Sequence, residues 1–187
     1  MTRKHRITCY VAFLRGINVG GHRLQMETLR NLFATLGFAK IATFIASGNV
    51  IFETMSTEPS EIETRIEAHL RESLGYDVDT FLRTPAELAS IVAFRPFHSL
   101  DADAPDHTLH VGFLRTAVGD EVERKLASFR GEMDDFHVHG RELFWLCRGK
   151  VTDSKVSWPL VAKTLATSST MRNLKTIRKL AALYPPE

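Results

Sequence analysis

The sequence predicts an α+β fold of two small units with antiparallel sheets, closed by a helical C-terminal tail. Three observations carry this reading. Over residues 7 to 83, apolar residues recur at strand and helix periods in the order β-α-β-β-α-β, that of a ferredoxin-like (split βαβ) unit. From Thr108 the plan restarts, and Gly112-Phe113-Leu114-Arg115 echoes Ala12-Phe13-Leu14-Arg15. Between the two, Leu100 to Asp106 is rich in Asp, Ala and Pro and reads as a linker. The expected organisation is a first ferredoxin-like subdomain over 1–83, a helix and linker over 84–106, and a second α+β subdomain with C-terminal helices over 107–187.

Each element has a local cause. Ile7 to Leu14 is apolar on both faces, as a strand covered on both sides is. Leu24, Met26, Leu29, Leu32, Phe33 and Leu36 recur at helical spacing, and Gly37 is a natural stop. Ile41 to Ile45 and Val50 to Phe52 flank Ala46-Ser47-Gly48-Asn49 and predict a hairpin. Thr57 or Ser60 is expected to cap a helix whose stripe is Ile62, Ile66, Leu70 and Leu74, ending before Gly75. Asp77 to Leu82 follows as a fourth strand, and Thr84-Pro85-Ala86-Glu87 opens another helix with a capping box. In the second half, Leu109 to Arg115 is a strand, and Val118, Val122, Leu126 and Phe129 form a helix stripe. A hairpin spans Phe136 to Cys147 across Gly140. Ser157 to Ala166 and Met171 to Leu183 both read as helices, with no final strand before Pro185.

Composition excludes several classes. With 187 residues, 44% hydrophobic and 25% charged, the chain can bury an ordinary core and is neither disordered nor fibrous. The formal charge of +2 weighs against a dedicated nucleic-acid binder, although basic residues gather at Arg3 to Arg6 and between Lys163 and Lys179. Cys9 and Cys147 each sit in an apolar strand pattern and are expected as reduced, buried thiols. No apolar stretch nears the roughly 20 residues that span a bilayer, and no secretory leader is expected. The expected location is the cytoplasm, as a monomer or homodimer.

The sharpest candidate for function is Arg15-Gly16-Ile17-Asn18-Val19-Gly20-Gly21, at the end of the first strand. Glycines let a backbone turn sharply and bare its N–H groups, and Arg15 adds a fixed positive charge. If the run opens directly into a helix, the helix dipole joins them and the turn can hold a phosphate or carboxylate. The run has neither dinucleotide nor P-loop spacing, and no motif names a cofactor. Ser47 and Asn49 of the hairpin turn extend the candidate set, although the hairpin leaves the second strand at the edge opposite the first turn, so the two turns are not assumed to be adjacent. Lys155, and the segment Thr167 to Asn173 with Thr170 as a helix N-cap, could bring Thr170, Arg172 and Asn173 to the same anion. Histidines 107, 110, 137 and 139 lie on strand patterns, and residues two apart on a strand share a face. No dense Cys/His cluster accompanies them, so no metal site is expected.

Arg15 to Gly21, then Ser47-Gly48-Asn49-Val50, then Thr170-Met171-Arg172-Asn173 with Thr176 and Lys179-Leu180, together resemble the signature of the domain of unknown function 1697 family. The resemblance implies a cytoplasmic, bacterial-type protein of two ferredoxin-like subdomains, and it implies no activity. Leu174 stands where that family commonly carries Trp after Arg-Asn. The leading expectation is a protein that binds a small phosphorylated or carboxylated ligand, whether or not it acts on it. The alternatives are a nucleic-acid-binding module and a structural protein dimerising through its sheet edges.

Overall fold

The computed structural model describes residues 7–18, 20–45, 48–56, 58–97 and 104–186. The chain divides into two compact units, Met1–Leu88 with Tyr184–Glu187, and Ala89–Leu183. Ala46 and Ser47 of the expected hairpin turn, the alternative cap Thr57, and residues 98–103 lie outside the described residues.

The first unit runs β1 (Thr8–Arg15), α1 (Met26–Thr35), β2 (Ala39–Thr43), β3 (Asn49–Thr54), α2 (Pro59–Leu74) and β4 (Asp79–Arg83). Its strands form one antiparallel sheet in the order β2-β3-β1-β4. Tyr10, Ala12 and Leu14 of β1 bury one face against Leu29 and Phe33 of α1 and Ile62, Ile66 and Leu70 of α2. The alternate residues Val11 and Phe13 are also fully buried, so β1 is apolar on both faces, as its composition predicts. Gly75 closes α2 in the left-handed conformation at φ 79°. The cap at its other end differs from expectation: Glu58 stands at the N-cap position and Pro59 opens the helix, without a side-chain cap. Pro needs no N–H partner at a first helical position, which makes a cap there less necessary.

Helix α3 (Pro85–Ala93) starts on the predicted capping box. The Thr84 N–H donates to Glu87 Oε2 at 2.7 Å and the Glu87 N–H donates back to Thr84 Oγ1 at 3.2 Å.

The second unit repeats the plan in full: β5 (His107–Leu114), α4 (Asp120–Ala127), β6 (Asp134–His139), β7 (Glu142–Arg148), α5 (Trp158–Leu165), β8 (Ser169–Asn173) and α6 (Leu174–Leu183). Its antiparallel order is β6-β7-β5-β8. The echoed tetrapeptides occupy equivalent places, since Leu14 N–H donates to Gly48 and Leu114 N–H donates to Arg141, both at 2.8 Å. Here the helical tail expected from the sequence is corrected. Ser169–Asn173 is a strand paired along β5, so Thr170 is not a helix cap and the helix begins only at Leu174.

In all four outermost strands, β2 and β4 of the first sheet and β6 and β8 of the second, the edge is modified. The Thr80 and Leu82 N–H groups of β4 donate to Glu67 and Glu63 on α2, at 2.8 and 2.9 Å. On β6, the Phe136 carbonyl accepts from Arg130 Nη2 at 2.7 Å and its N–H donates to Asp135 Oδ1 at 2.9 Å. Strand β2 shifts register between Ala39 and Ala42, with Lys40 at φ 47°. On β8, Arg172 Nη1 donates to the Met171 carbonyl at 2.8 Å. Charges, bulges and occupied backbone groups are how natural sheets discourage pairing with a further strand.

Candidate functional site

The two motif loops of the first unit meet. Because β1 and β3 are antiparallel, with Phe13 opposite Asn49, the end of β1 and the start of β3 lie at the same end of the sheet. Strand β2 is at the sheet edge, as expected, and the two turns, whose adjacency the sequence left open, are neighbours. Gly48 seals the meeting. Its φ is +71°, and a Cβ there would come within 2.7 Å of Ile17 Cγ2 and 3.2 Å of Leu14 Cβ. Only glycine permits both the conformation and the approach.

The glycine run does not open directly into a helix, which corrects the expectation of a helix start there. Its turn begins at Gly16, φ 87°, but α1 begins only at Met26, with Gln25 at the N-cap position. The apolar spacing that predicted an earlier start counted Leu24, which lies in the loop. Its N–H donates to Asn18 Oδ1 at 2.7 Å, a bond that ties Leu24 to Asn18. The dipole of α1 therefore acts some distance along the chain from Gly16, and its effect fades within the first turn.

The polar groups at this end serve the loops first. Asn49 is fully buried and donates through Nδ2 to the Phe44 carbonyl at 3.0 Å, closing the hairpin turn. The Tyr76 hydroxyl donates to the Ile17 carbonyl at 3.0 Å, its pKa pushed up by burial. The His22 ring stacks on the Tyr76 ring, centroids 4.0 Å apart. Gly20 and Gly21 are exposed, at φ 63° and 90°, facing open space where a Cβ would point. Arg15 at the end of β1 pairs with Asp79 at the start of β4, Nη1 to Oδ2 3.2 Å, with the arginine side chain 55% exposed. His22 and Arg23 are exposed in the same loop.

The C-terminal candidates belong to the second unit. Thr170 is buried and accepts from Arg172 Nη1 at 2.9 Å. Burial lowers the pKa of Arg172 to about 10. Asn173, rather than Thr170, caps the following helix, its Oδ1 accepting from the Lys175 N–H at 2.8 Å. Lys155 is exposed in the loop before α5. Of the strand histidines, His137 and His139 share a face and both contact the Phe94 ring. His107 and His110 are three apart, so the strand turns them to opposite faces. Among the described residues no three His, Cys, Asp or Glu gather as a metal site.

Sequence reasoning missed the network around Asp134. Its buried Oδ1 accepts from Trp145 Nε1 at 2.8 Å and from the Ser154 hydroxyl at 2.9 Å. A period-2 strand pattern marks Asp134 only as a polar residue at a strand start, so no sequence signal singled it out.

The family model described as "Protein of unknown function (DUF1697)" matches residues 7–144. The chain belongs to that family. The DUF1697 match takes in both motif loops and ends before Lys155, Thr170 and Asn173. The conserved bacterial protein SP0830 from Streptococcus pneumoniae has a similar structure, with a TM-score of 0.76. The two share 20% identity over 96% of this chain and 99% of that one, so the likeness shows the fold alone. No curated protein matches the sequence. No helix among the described residues is long and apolar enough to cross a membrane.

Proposed function

We propose that this DUF1697 protein binds a small ligand bearing phosphate or carboxylate at the end of the first sheet where the two motif loops meet. The observation that carries the reading is the contact of Gly48 with Ile17. It joins Arg15–Asn18 and Gly48–Asn49 into one rim, to which Tyr76 and His22 are also tied. Asn18 and Asn49 hold that rim rigid. Arg15 and Arg23 supply positive charge, and Gly20 and Gly21 leave the backbone open to close approach. The Arg15–Asp79 pair does not oppose this role, because an exposed ion pair contributes only about 0–1 kcal/mol and yields readily to a better anion. Arginine's planar fork suits either oxyanion.

Each unit is read as a ferredoxin-like split βαβ, a reading supported by the matching antiparallel orders β2-β3-β1-β4 and β6-β7-β5-β8. The modified edges favour a monomer. A cytoplasmic location accords with the free thiols of Cys9 and Cys147.

Thermal unfolding with inorganic phosphate, pyrophosphate and citrate tests the binding reading, since a ligand that prefers the folded state raises Tm by mass action. Stabilisation should disappear in Arg15→Ala and strengthen in Asp79→Asn, which removes the competing carboxylate. No shift with any of the three anions, or an unchanged shift in Arg15→Ala, overturns the reading.

A further inference from the structure

The loop rim of the first unit carries a flat ring beside its charge. The His22 and Tyr76 rings stack nearly parallel, with centroids 4.0 Å apart and planes inclined by 22°. Both rings are anchored. The Tyr76 hydroxyl donates to the Ile17 carbonyl at 3.0 Å. Leu24, two residues beyond His22, packs against the first core and donates its N–H to Asn18 Oδ1 at 2.7 Å. Tyr76 is partly buried, whereas His22 is exposed. Because the phenol covers one face of the imidazole, the exposure of His22 falls on its edge and its other face. The residues around it in sequence complete the surroundings: Gly20 and Gly21 leave open backbone just before it, and the exposed Arg23 follows. Gly20 and His22 are two residues apart, so their Cα atoms are separated by no more than about 7–8 Å. A single sugar bridges such a span.

We propose that the ligand of this rim is a nucleoside monophosphate, its base stacked on the open face of His22 and its phosphate taken by the glycine backbone and the rim arginines. The inference rests on the anion reading above and adds the group that the anion carries. Every base has a π-face, so stacking on a ring needs no particular hydrogen-bond pattern. The imidazole is already ordered by Tyr76, and a preordered side chain loses less freedom on binding. A purine covers more of the ring than a pyrimidine and should be preferred. A ringless carboxylate leaves the imidazole face unused. A nucleic-acid strand is held by successive rings along a basic groove, whereas this rim offers His22 in a chain of formal charge +2, which suits a single nucleotide.

Calorimetric titration of the full chain with AMP, ribose 5-phosphate and adenosine separates the parts of the ligand. AMP should bind about tenfold or more tighter than ribose 5-phosphate, which keeps the sugar and phosphate but lacks the base. In His22→Ala that preference should shrink towards one, and in His22→Trp, which keeps a ring, it should persist or grow. His22 is exposed, so both variants should fold, and their unfolding midpoints check this. Equal affinity for AMP and ribose 5-phosphate, or a preference unchanged in His22→Ala, overturns the nucleotide assignment and leaves the anion reading standing. So does a failure of AMP to bind while pyrophosphate or citrate still stabilises the fold. A single-stranded oligodeoxyadenylate that binds far more tightly than AMP, with a steep salt dependence, also overturns the mononucleotide and assigns the rim to a strand. Adenosine as tight as AMP overturns both readings, because the phosphate then contributes nothing, and no binding of any probe at millimolar concentration does the same.

Discussion

Glu63 Oε1 accepts the backbone N–H of Leu82 at 2.9 Å, so a carboxylate on α2 occupies the outer edge of β4. Glu67, one helical turn on, does the same for Thr80. A strand at the edge of a sheet otherwise presents a row of unmet donors, and those donors are what a second chain would recognise. The helix that packs the core of the first unit therefore also finishes its sheet.

Removing that carboxylate should destabilise the unit and expose its edge. Glu63 is buried, and Glu63→Ala leaves the Leu82 N–H without this acceptor, a loss of about 1–3 kcal/mol. Glu63→Gln keeps a carbonyl oxygen in place and should lose less. Denaturant midpoints give the stability, and light scattering at two concentrations reads association. If Glu63→Ala matches wild type in both, the edge is not protected by this contact.

The Asp134 network makes a comparable prediction for the second unit. Asp134→Ala strands the indole N–H of Trp145 in the core and should cost about 1–3 kcal/mol, whereas Ser154→Ala removes one donor and should cost about 1 kcal/mol or less. Asp134→Asn retains an acceptor oxygen and should fall between. Tryptophan emission gives a parallel readout, because Trp145 also stacks on His110 and meets Trp158 edge-on. Equal stability of Asp134→Ala and wild type contradicts the assignment.

Most elements were legible because burial imposes a period, and the failures have physical causes. Met171, Leu174, Ile177 and Leu180 repeat every three residues, which reads as one continuous helix. In the fold, Met171 faces the second core from β8 while Leu174, Ile177 and Leu180 begin a new helix, and five mostly polar residues left no strand period to detect. The start of α1 was misplaced because Leu24 packs against the core from a loop. Motif residues were recognisable by their types, but the meeting of their loops depends on antiparallel pairing between residues distant in sequence, Phe13 with Asn49, which spacing alone does not reveal. The carboxylate caps of β4 were equally hidden, since Glu63 sits beside the apolar stripe as any solvated helix residue would.

Stability should fall on acidification through the histidine range. Burial holds the His110 imidazole below its usual pKa, and burial is also the largest of several causes lowering His137. The folded chain resists protons that the unfolded chain accepts, so the unfolded state binds more of them in mild acid. This contribution is complete above the unfolded value of about 6.5 and is lost as pH drops towards the lowered folded values. His110→Phe keeps a ring against Trp145 without a titrating nitrogen, and urea midpoints measured across that range should then vary less with pH. An unchanged pH profile in His110→Phe rules this ring out as a source.

Glycine substitutions separate backbone conformation from packing at the loop rim. Gly20 and Gly21 have positive φ but open space around a would-be Cβ, so Ala at either should cost about 1–2 kcal/mol from the left-handed conformation alone. Gly48 has the same conformational demand and also a Cβ position 2.7 Å from Ile17 Cγ2, on a buried side chain with little room to retreat. Overpacking of that kind adds about 1–3 kcal/mol, so Gly48→Ala should be clearly the most destabilising of the three. Ile17→Ala is itself costly, but it removes the Cγ2 that a Cβ at position 48 would strike. The double variant should therefore lose less than the two single losses added together, as contacting residues do in such a cycle. Strictly additive losses from Gly48→Ala and Ile17→Ala would show that the loops are not joined through this contact, and the proposed rim would lose its foundation.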